Sequence, residues 1–216
     1  MKRDRIEPPR VRLCDWKAVS LTDADRADAR SFADSKDAPD DEREKTYVYL
    51  LQSALIDRIA NESQVSVPRA LVQERTQAMA GELERHLQGQ GRTIDEYLET
   101  NGTTKEGVLK DFEPAAEHQI RQRAVLVAIA ESEGIAATDE DYAEELERLK
   151  QRYPVSSEEM IGIFETTGES QRIREDISAF KAAQAVRERL CEAEGIVDPE
   201  TVEAEQDGEG QEASCD

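Results

Sequence analysis

The residue types that most often perform chemistry are present in this chain, but none of them forms a catalytic pattern. The two histidines, His86 and His118, have no nucleophile or metal-ligand motif around them, so we interpret both as solvated or packing residues. Aspartate and glutamate make up 49 of the 216 residues, and a pair of carboxylates is uninformative at that abundance. No Gly-rich phosphate-binding loop occurs in the sequence. We therefore expect no enzymatic activity, no catalytic residue, no metal site and no cofactor.

The cysteines do not suggest redox or metal chemistry either. Cys14, Cys191 and Cys215 are odd in number, widely spaced and match no metal or Cys-x-x-Cys pattern, so we interpret them as reduced, inert thiols. The first 30 residues lack the apolar core of a signal peptide, which favours a cytoplasmic location.

The charge and the apolar pattern exclude two classes of partner. The formal net charge is -21 and no window is strongly basic, whereas nucleic-acid binding depends on Lys and Arg that neutralise phosphates. The longest apolar run, Ala124–Ala130, is far shorter than the ~20 residues that cross a bilayer. We expect no nucleic-acid or membrane partner, and a thin helical core with much exposed surface.

Helical spacing of apolar residues predicts most of the elements. Val48, Leu51, Leu55 and Ile59 form one apolar stripe and predict a helix from Arg43 to Asn61. Capping residues, glycines and prolines predict the other boundaries: a helix opened by Pro68 and ending near Gln88, a short helix capped by Thr93 with Glu96, a long helix over about 104–133 with a kink at Pro114, a helix from Thr138 to about Tyr153, a short helix from Ser156 or Ser157 to Gly168, and a last long helix over about Ser170–Glu194.

The sequence of elements repeats once. In each copy a helix, a short helix ending in glycine (Gly102, Gly168) and a long helix ending in Glu-Gly-Ile (Gly134, Gly195) follow one another. We interpret the copies as two helical hairpins with a short helix at the tip, arm 1 (66–135) and arm 2 (136–196). The alternative is chance similarity among amphipathic helices.

The expected architecture is all-α, an elongated two-armed helical body with a short extended N-terminal segment. We expect an extended linker segment over 1–22, where Val11, Leu13, Val19 and Leu21 suggest extended structure. An acidic linker over 23–43, the helical body over 44–197 and a disordered acidic tail over 198–216 complete the expected organisation.

Several motifs resemble the C-terminal domain of bacterial trigger factor, a ribosome-associated folding chaperone. The resemblance covers about 44–195, with a further likeness of the stretch 11–19 to the linker that precedes the family's prolyl-isomerase domain. The residues that carry it are Val67-Pro68-Arg69-Ala70-Leu71-Val72, Gly91, Tyr97-Leu98, Gly102, Pro114-Ala115-Ala116-Glu117, Arg123-Ala124-Val125-Leu126, Ile129-Ala130, Glu133-Gly134-Ile135, Thr138-Asp139-Glu140 and the upstream stretch Val11 to Val19.

The sequence departs from the family in two respects. The basic ribosome-docking loop is absent, and the interval between Leu21 and Arg43 has no room for an isomerase domain. We therefore expect neither ribosome docking nor prolyl isomerisation, and we regard a residual isomerase as the least favoured hypothesis.

The resemblance implies that apolar residues at the arm tips and inner arms contact unfolded polypeptides. Exposed apolar groups on a water-soluble chain typically mark a binding surface, and methionine suits promiscuous contact. The expected client-binding residues are Met79, Leu83, Leu87, Ile94, Tyr97 and Leu98 in arm 1, and Leu149, Tyr153, Met160, Ile161, Ile163 and Phe164 in arm 2. Against this, Val72, Met79, Leu83, Ile173, Ile177 and Phe180 have the spacing of residues that hold each hairpin together.

Two functions follow from these patterns. The first is an ATP-independent holdase whose partners are unfolded or nascent polypeptides held in the cradle between the arms. The alternative is a dedicated scaffold that kept the chaperone body and binds one specific partner. Either protein could act as a homodimer.

Overall fold

The computed structural model describes residues 6–150 and 157–199, and the side chains of residues 157–160 and 165 are not described. The elements are β1 (Arg10–Arg12), α1 (Asp23–Asp34), α2 (Asp40–Glu62), β2 (Gln64–Ser66), α3 (Arg69–Gly89), α4 (Ile94–Asn101), α5 (Lys105–Glu133), α6 (Asp139–Lys150), α7 (Ser157–Thr167) and α8 (Glu169–Glu194). The expected all-α class is confirmed, because the two short strands are the only departure from helix in this element order.

Within the described residues the expected helix boundaries are confirmed to within a few residues, because local signals decide them; the expected helix end near Tyr153 lies outside those residues. Thr93 and Glu96 form a reciprocal capping box at the start of α4. Gly102 and Gly195 adopt left-handed backbone conformations at the ends of α4 and α8, where a side chain would be strained. Pro114 lies inside α5, which is assigned as one helix from Lys105 to Glu133.

The expected acidic linker over 23–43 is wrong, because most of it is helical. Thr22 and Asp25 form a capping box that starts α1. The small residues Ala29 and Ala33 are the buried residues of α1, which packs on α2. The linker was predicted because the segment has few large apolar residues. A helix that packs through alanines has the same composition, so this composition does not distinguish a helix from a linker.

The chain divides into two compact units. Unit 1 combines the N-terminal residues through Arg12 with Ser63–Val125, and unit 2 combines Leu13–Glu62 with the residues from Leu126 onward. The long helix α5 therefore contributes to both units, so the expected boundary of arm 1 at residue 135 does not coincide with a boundary between units.

The centre of unit 2 is formed by α2 and α8, which pack on each other. Leu51, Leu55 and Ile59 of α2 and Val186 of α8 are almost completely buried. The Gln52 side-chain amide donates to the Ala183 carbonyl oxygen over 2.7 Å and fixes one level of this pair. Leu51, Leu55 and Ile59 belong to the apolar stripe that the sequence predicted for α2, so their burial follows directly from helical spacing.

Residues Leu13–Leu21, here called the N-terminal strap, pack on unit 2. Trp16, Val19 and Leu21 are buried, so this part of the expected extended linker is packed and not free in solution. The Trp16 indole donates to Glu133 over 3.2 Å, and Lys17 forms a 2.7 Å ion pair with the same carboxylate. These donors, Lys17 first, lower the pKa of Glu133.

Guanidinium groups hold the main chain of the strap as well. Arg58 donates to the Ser20 carbonyl oxygen over 2.9 Å. Arg189 donates to the Lys17 carbonyl oxygen and lies over the Trp16 ring, 5.8 Å from its centroid. A charged donor bound to a carbonyl oxygen holds the backbone whatever side chain that residue carries.

The expected disordered tail begins too early. Asp198 is buried and forms a 3.0 Å ion pair with Arg187, so the chain remains packed on α8 through this residue. Burial, and after it the charge of Asp198, also raises the pKa of the Cys191 thiol, which favours its protonated form. Residues 200–216, including Cys215, lie outside the described residues.

Unit 1 contains a small sheet that the sequence did not predict in full. β1 pairs with β2 in antiparallel register, with Val11 opposite Val65. The segment 64–68 was expected only to break the helix. The Arg121 guanidinium of α5 donates to the Val65 carbonyl oxygen over 3.3 Å and anchors β2.

The helices were also compared with the requirements of a membrane span. None of those in the described part of the chain combines the length and apolarity needed to cross a bilayer.

We predict that Trp16→Ala destabilises the fold by about 3–5 kcal/mol, because a large buried aromatic side chain leaves a cavity. Chemical denaturation followed by circular dichroism measures the change. Lys17→Ala removes an exposed ion pair and is the matched control, with an expected loss below about 1 kcal/mol. Equal losses for the two variants would show that the strap contributes only through its surface charges.

Candidate polypeptide-binding surface

Arm 2 is a hairpin in which α6 runs antiparallel to α8. The Ala137 amide donates to the Ser178 hydroxyl over 3.0 Å at one end, and the Tyr142 hydroxyl donates to Ser170 over 2.9 Å further along. The partners on α8 move backward along the chain as those on α6 move forward. α7 therefore lies at the tip, between the end of α6 and the start of α8.

Charge pairs fix the base of this hairpin. Lys181 lies 2.5 Å from Asp141, which also accepts from the Thr138 amide and hydroxyl as part of the α6 cap. These contacts, the Lys181 bond foremost, lower the pKa of Asp141 to about 2. Arg174 pairs with Asp139 over 2.8 Å and stacks on the Tyr142 ring.

The tip of arm 2 leaves apolar groups uncovered. Ile163 on α7 is 54% exposed, and Ile161 and Phe164 on the same short helix are partly exposed. Leu149 near the end of α6 is also partly exposed. An adjacent apolar run on a single short helix cannot all face its own hairpin, so part of it must meet solvent or a partner. The side chain of Met160 is not described, and Tyr153 lies outside the described residues.

Arm 1 has an equivalent short helix, α4, between α3 and α5. Ile94, Tyr97 and Leu98 on α4 are partly exposed, and none of the residues of α4 is buried. The turn into α5 is tight, because a Cβ at Gly107 would lie 2.5 Å from the Thr103 hydroxyl oxygen. The arm is joined along its length by a 2.8 Å bond from Arg75 on α3 to Gln119 on α5.

The inner positions of α3 divide into two groups. Met79 and Leu83 are partly exposed, so they remain available both to their own hairpin and to a partner. Leu87 is only 3% exposed, so its expected contact with clients is corrected to a packing role inside arm 1. The turn that follows it is tied to the helix end, because the Gln90 and Arg92 amides both donate to the Leu87 carbonyl oxygen.

Sequence analysis missed several exposed apolar side chains. Phe180 on α8 was expected to hold its hairpin together, yet it is 64% exposed, because α6 covers the face of α8 that carries Ser178 and Lys181. Tyr49 on α2 is 68% exposed. Phe180 follows the helical spacing of its hairpin seam, and spacing alone does not say where a neighbouring helix stops.

Comparison with known proteins agrees with this architecture. The family described as "Bacterial trigger factor protein (TF) C-terminus" matches residues 35–188. Trigger factor of Desulforudis audaxviator is 32% identical over 162 residues, which is 75% of this chain and 36% of that protein. Trigger factor of Shouchella clausii is 28% identical over 142 residues, or 66% of this chain and 33% of that protein. No solved structure matches the chain significantly.

The chain therefore belongs to the bacterial trigger factor C-terminal family. It spans about a third of the length of the curated relatives that it matches. The resemblance inferred from the motifs is confirmed, and the match extends upstream of residue 44 into the region that contains the start of α2.

We predict that Asp141 links the stability of arm 2 to acid pH. Its pKa in the folded state is lowered to about 2 from the ordinary value of 3.8, so its contribution to stability is fully present above the unfolded pKa and is lost as pH falls through about 2. NMR titration of the Asp141 carboxyl measures the midpoint directly. Lys181→Gln removes the main cause and should raise the midpoint toward 3.8. An unchanged midpoint in that variant would contradict the assignment of the cause to Lys181.

Proposed function

We propose that this chain is an ATP-independent chaperone that holds unfolded polypeptides through apolar residues at the tips of its two arms. The supporting observation is the uncovered tip of arm 2, where Ile163 and its neighbours on α7 project from a hairpin fixed by charge pairs at its base. Membership of the trigger factor C-terminal family supports a chaperone-like role.

The proposed client contacts are side chains that combine apolar character with at least partial exposure. A client segment that covers such groups gains roughly 25 cal/mol for each Å² of apolar surface removed from water. The assigned residues are Met79, Leu83, Ile94, Tyr97, Leu98, Leu149, Ile161, Ile163 and Phe164, and Tyr153 and Met160 belong to the proposal on sequence grounds alone.

The proposed binding is non-covalent and requires no catalysis. Within the described residues no group of three or more His, Cys, Asp or Glu side chains could hold a metal ion. The role assigned to this chain does not include ribosome docking or prolyl isomerisation. The high negative charge keeps a protein with exposed apolar tips in solution, since like-charged copies repel each other.

The proposal predicts that the chain suppresses aggregation of a chemically denatured client, measured by light scattering at increasing molar excess. The double variant Ile163→Ser with Phe164→Ser should lose a large part of this protection, because it replaces the most exposed of the described apolar side chains at the tip of arm 2 and its neighbour by polar ones. Tyr49→Ser is the matched control, since Tyr49 is at least as exposed as Ile163 but lies on α2 and belongs to neither of the short tip helices α4 and α7.

Three outcomes would count against the proposal. The first is a lack of protection by the unmodified chain at several-fold excess. The second is an equal loss of protection in the Tyr49 control, which would show that any exposed apolar group suffices. The third is recovery of one stoichiometric partner, with no broad set of clients, from a pull-down, which would favour a dedicated scaffold.

A further inference from the structure

The two-stranded sheet of unit 1 has two edges, and they differ. Val11 and Val65 are directly opposite each other at its centre, with Arg10 opposite Ser66 and Arg12 opposite Gln64. If Val11 and Val65 exchanged both hydrogen bonds, the Val67 amide would donate to the Pro9 carbonyl oxygen just outside the sheet. The main-chain hydrogen bonds of the described residues include no such bond, so Arg10 and Ser66 are a pair whose residues exchange both hydrogen bonds.

The type of the Arg10–Ser66 pair determines where the main-chain N–H and C=O groups of the two valines point. Hydrogen-bonded pairs alternate with non-hydrogen-bonded pairs along an antiparallel ladder, so the Val11–Val65 pair is of the second kind. The N–H and C=O of each valine then point outward, away from the other strand. The contact of Arg121 with the Val65 carbonyl oxygen is independent support, because it reaches that oxygen from the outer side.

The two outer edges differ at the carbonyl groups of the two valines. Arg121 covers the carbonyl of Val65 on the β2 side. On the β1 side, the hydrogen bonds among the described residues include none to the outward N–H or C=O of Val11. The residues of both strands also line a hollow of about 400 Å³. An unpaired strand edge beside such a hollow can accept a further strand.

The charges beside Val11 select the kind of strand. Arg10 and Arg12 are exposed on either side of it, and the one exposed pair that Arg10 forms, 3.3 Å to Glu7, is easily exchanged. A second copy of β1 would place Arg10 opposite Arg12 of the copy, and like charges directly opposite are destabilising. A strand with an apolar residue between two carboxylates would instead complement both arginines.

We propose that the outer edge of β1 binds an extended polypeptide segment by strand addition, and that the segment has an apolar residue flanked by acidic residues. The main-chain groups of Val11 form two hydrogen bonds with the added strand, and Arg10 and Arg12 pair with its carboxylates. This site shares no residue with the proposed client contacts at the arm tips, so the proposal does not depend on the holdase activity.

The test uses the full chain and a pentapeptide with blocked ends, in which a central valine lies between two glutamates. In NMR hydrogen exchange, the Val11 amide should become protected when the peptide is added, and the Val65 amide should not. A lysine-flanked peptide of the same length is the charge control and should bind more weakly. Absence of protection at Val11 at saturating peptide would overturn the proposal.

A pair of proline variants separates the two edges. Val11→Pro removes the outward N–H without removing a hydrogen bond between β1 and β2, and should weaken the peptide roughly five-fold or more. Val65→Pro makes the same change on the other edge and should leave the affinity within about two-fold. Equal weakening by both variants would contradict binding at β1, and thermal melts of both report whether either fails to fold.

Two alternative occupants have distinct signatures in the same experiments. Protection of Val11 that rises with protein concentration in the absence of peptide would mean that a second copy occupies the edge. Protection that disappears when residues 200–216 are removed would mean that the acidic tail of this chain does so. Either result would overturn the assignment to an external partner strand.

Discussion

The burial of the apolar stripe of α2 against α8 is the constraint on which unit 2 depends. Leu51, Leu55, Ile59 and Val186 are almost fully withdrawn from water, and each such side chain contributes about 1.5–3 kcal/mol. The chain has few aromatic residues, so this aliphatic core has little redundancy. Other parts of unit 2 pack around it: α1 contacts α2 and contributes buried alanines, the N-terminal strap is held by Arg58 of α2 and Arg189 of α8, and the base of arm 2 is bonded to α8.

The surface of arm 2 combines charge pairs at its base with apolar side chains at its tip. Ion pairs such as Lys181 with Asp141 and Arg174 with Asp139 fix the hairpin of arm 2 at its base, where a network of several charges is more effective than isolated pairs. Among the described side chains of α7, Ile163 is exposed, and Ile161 and Phe164 are only partly covered. A stiff base with an uncovered apolar tip is the arrangement expected of a surface that must contact many different sequences, because the contact is apolar and non-directional.

Much of the fold could be predicted from the sequence, because local signals decide it. The capping box of Thr93, the glycine after each long helix and the stripe of α2 each determine an element on their own. Three features depended on partners distant in sequence. α1 was missed because alanine packing leaves no periodic signal of large residues. β2 was missed because a three-residue strand is defined only by its partner, and the packing of Asp198 depends on Arg187.

The candidate site was predicted less completely than the fold, for a related reason. Helical spacing identifies which residues share a face, but the exposed fraction depends on where the neighbouring helix ends. Leu87 was expected to contact clients but is buried, and Phe180 was expected to hold its hairpin together but is exposed. Ile163 kept its expected exposure because a tip helix has few neighbours whatever the details of packing.

The central claim is that clients are held at the arm tips, and site-specific photo-crosslinking tests it most directly. A photoreactive residue would be placed in turn at Tyr97, Phe164, Tyr49 and Phe180, and the chain would be mixed with a denatured client. The account predicts client adducts at Tyr97 and Phe164 that are well above those at the other two positions. Adducts concentrated at Tyr49 or Phe180, with none at the tips, would contradict it.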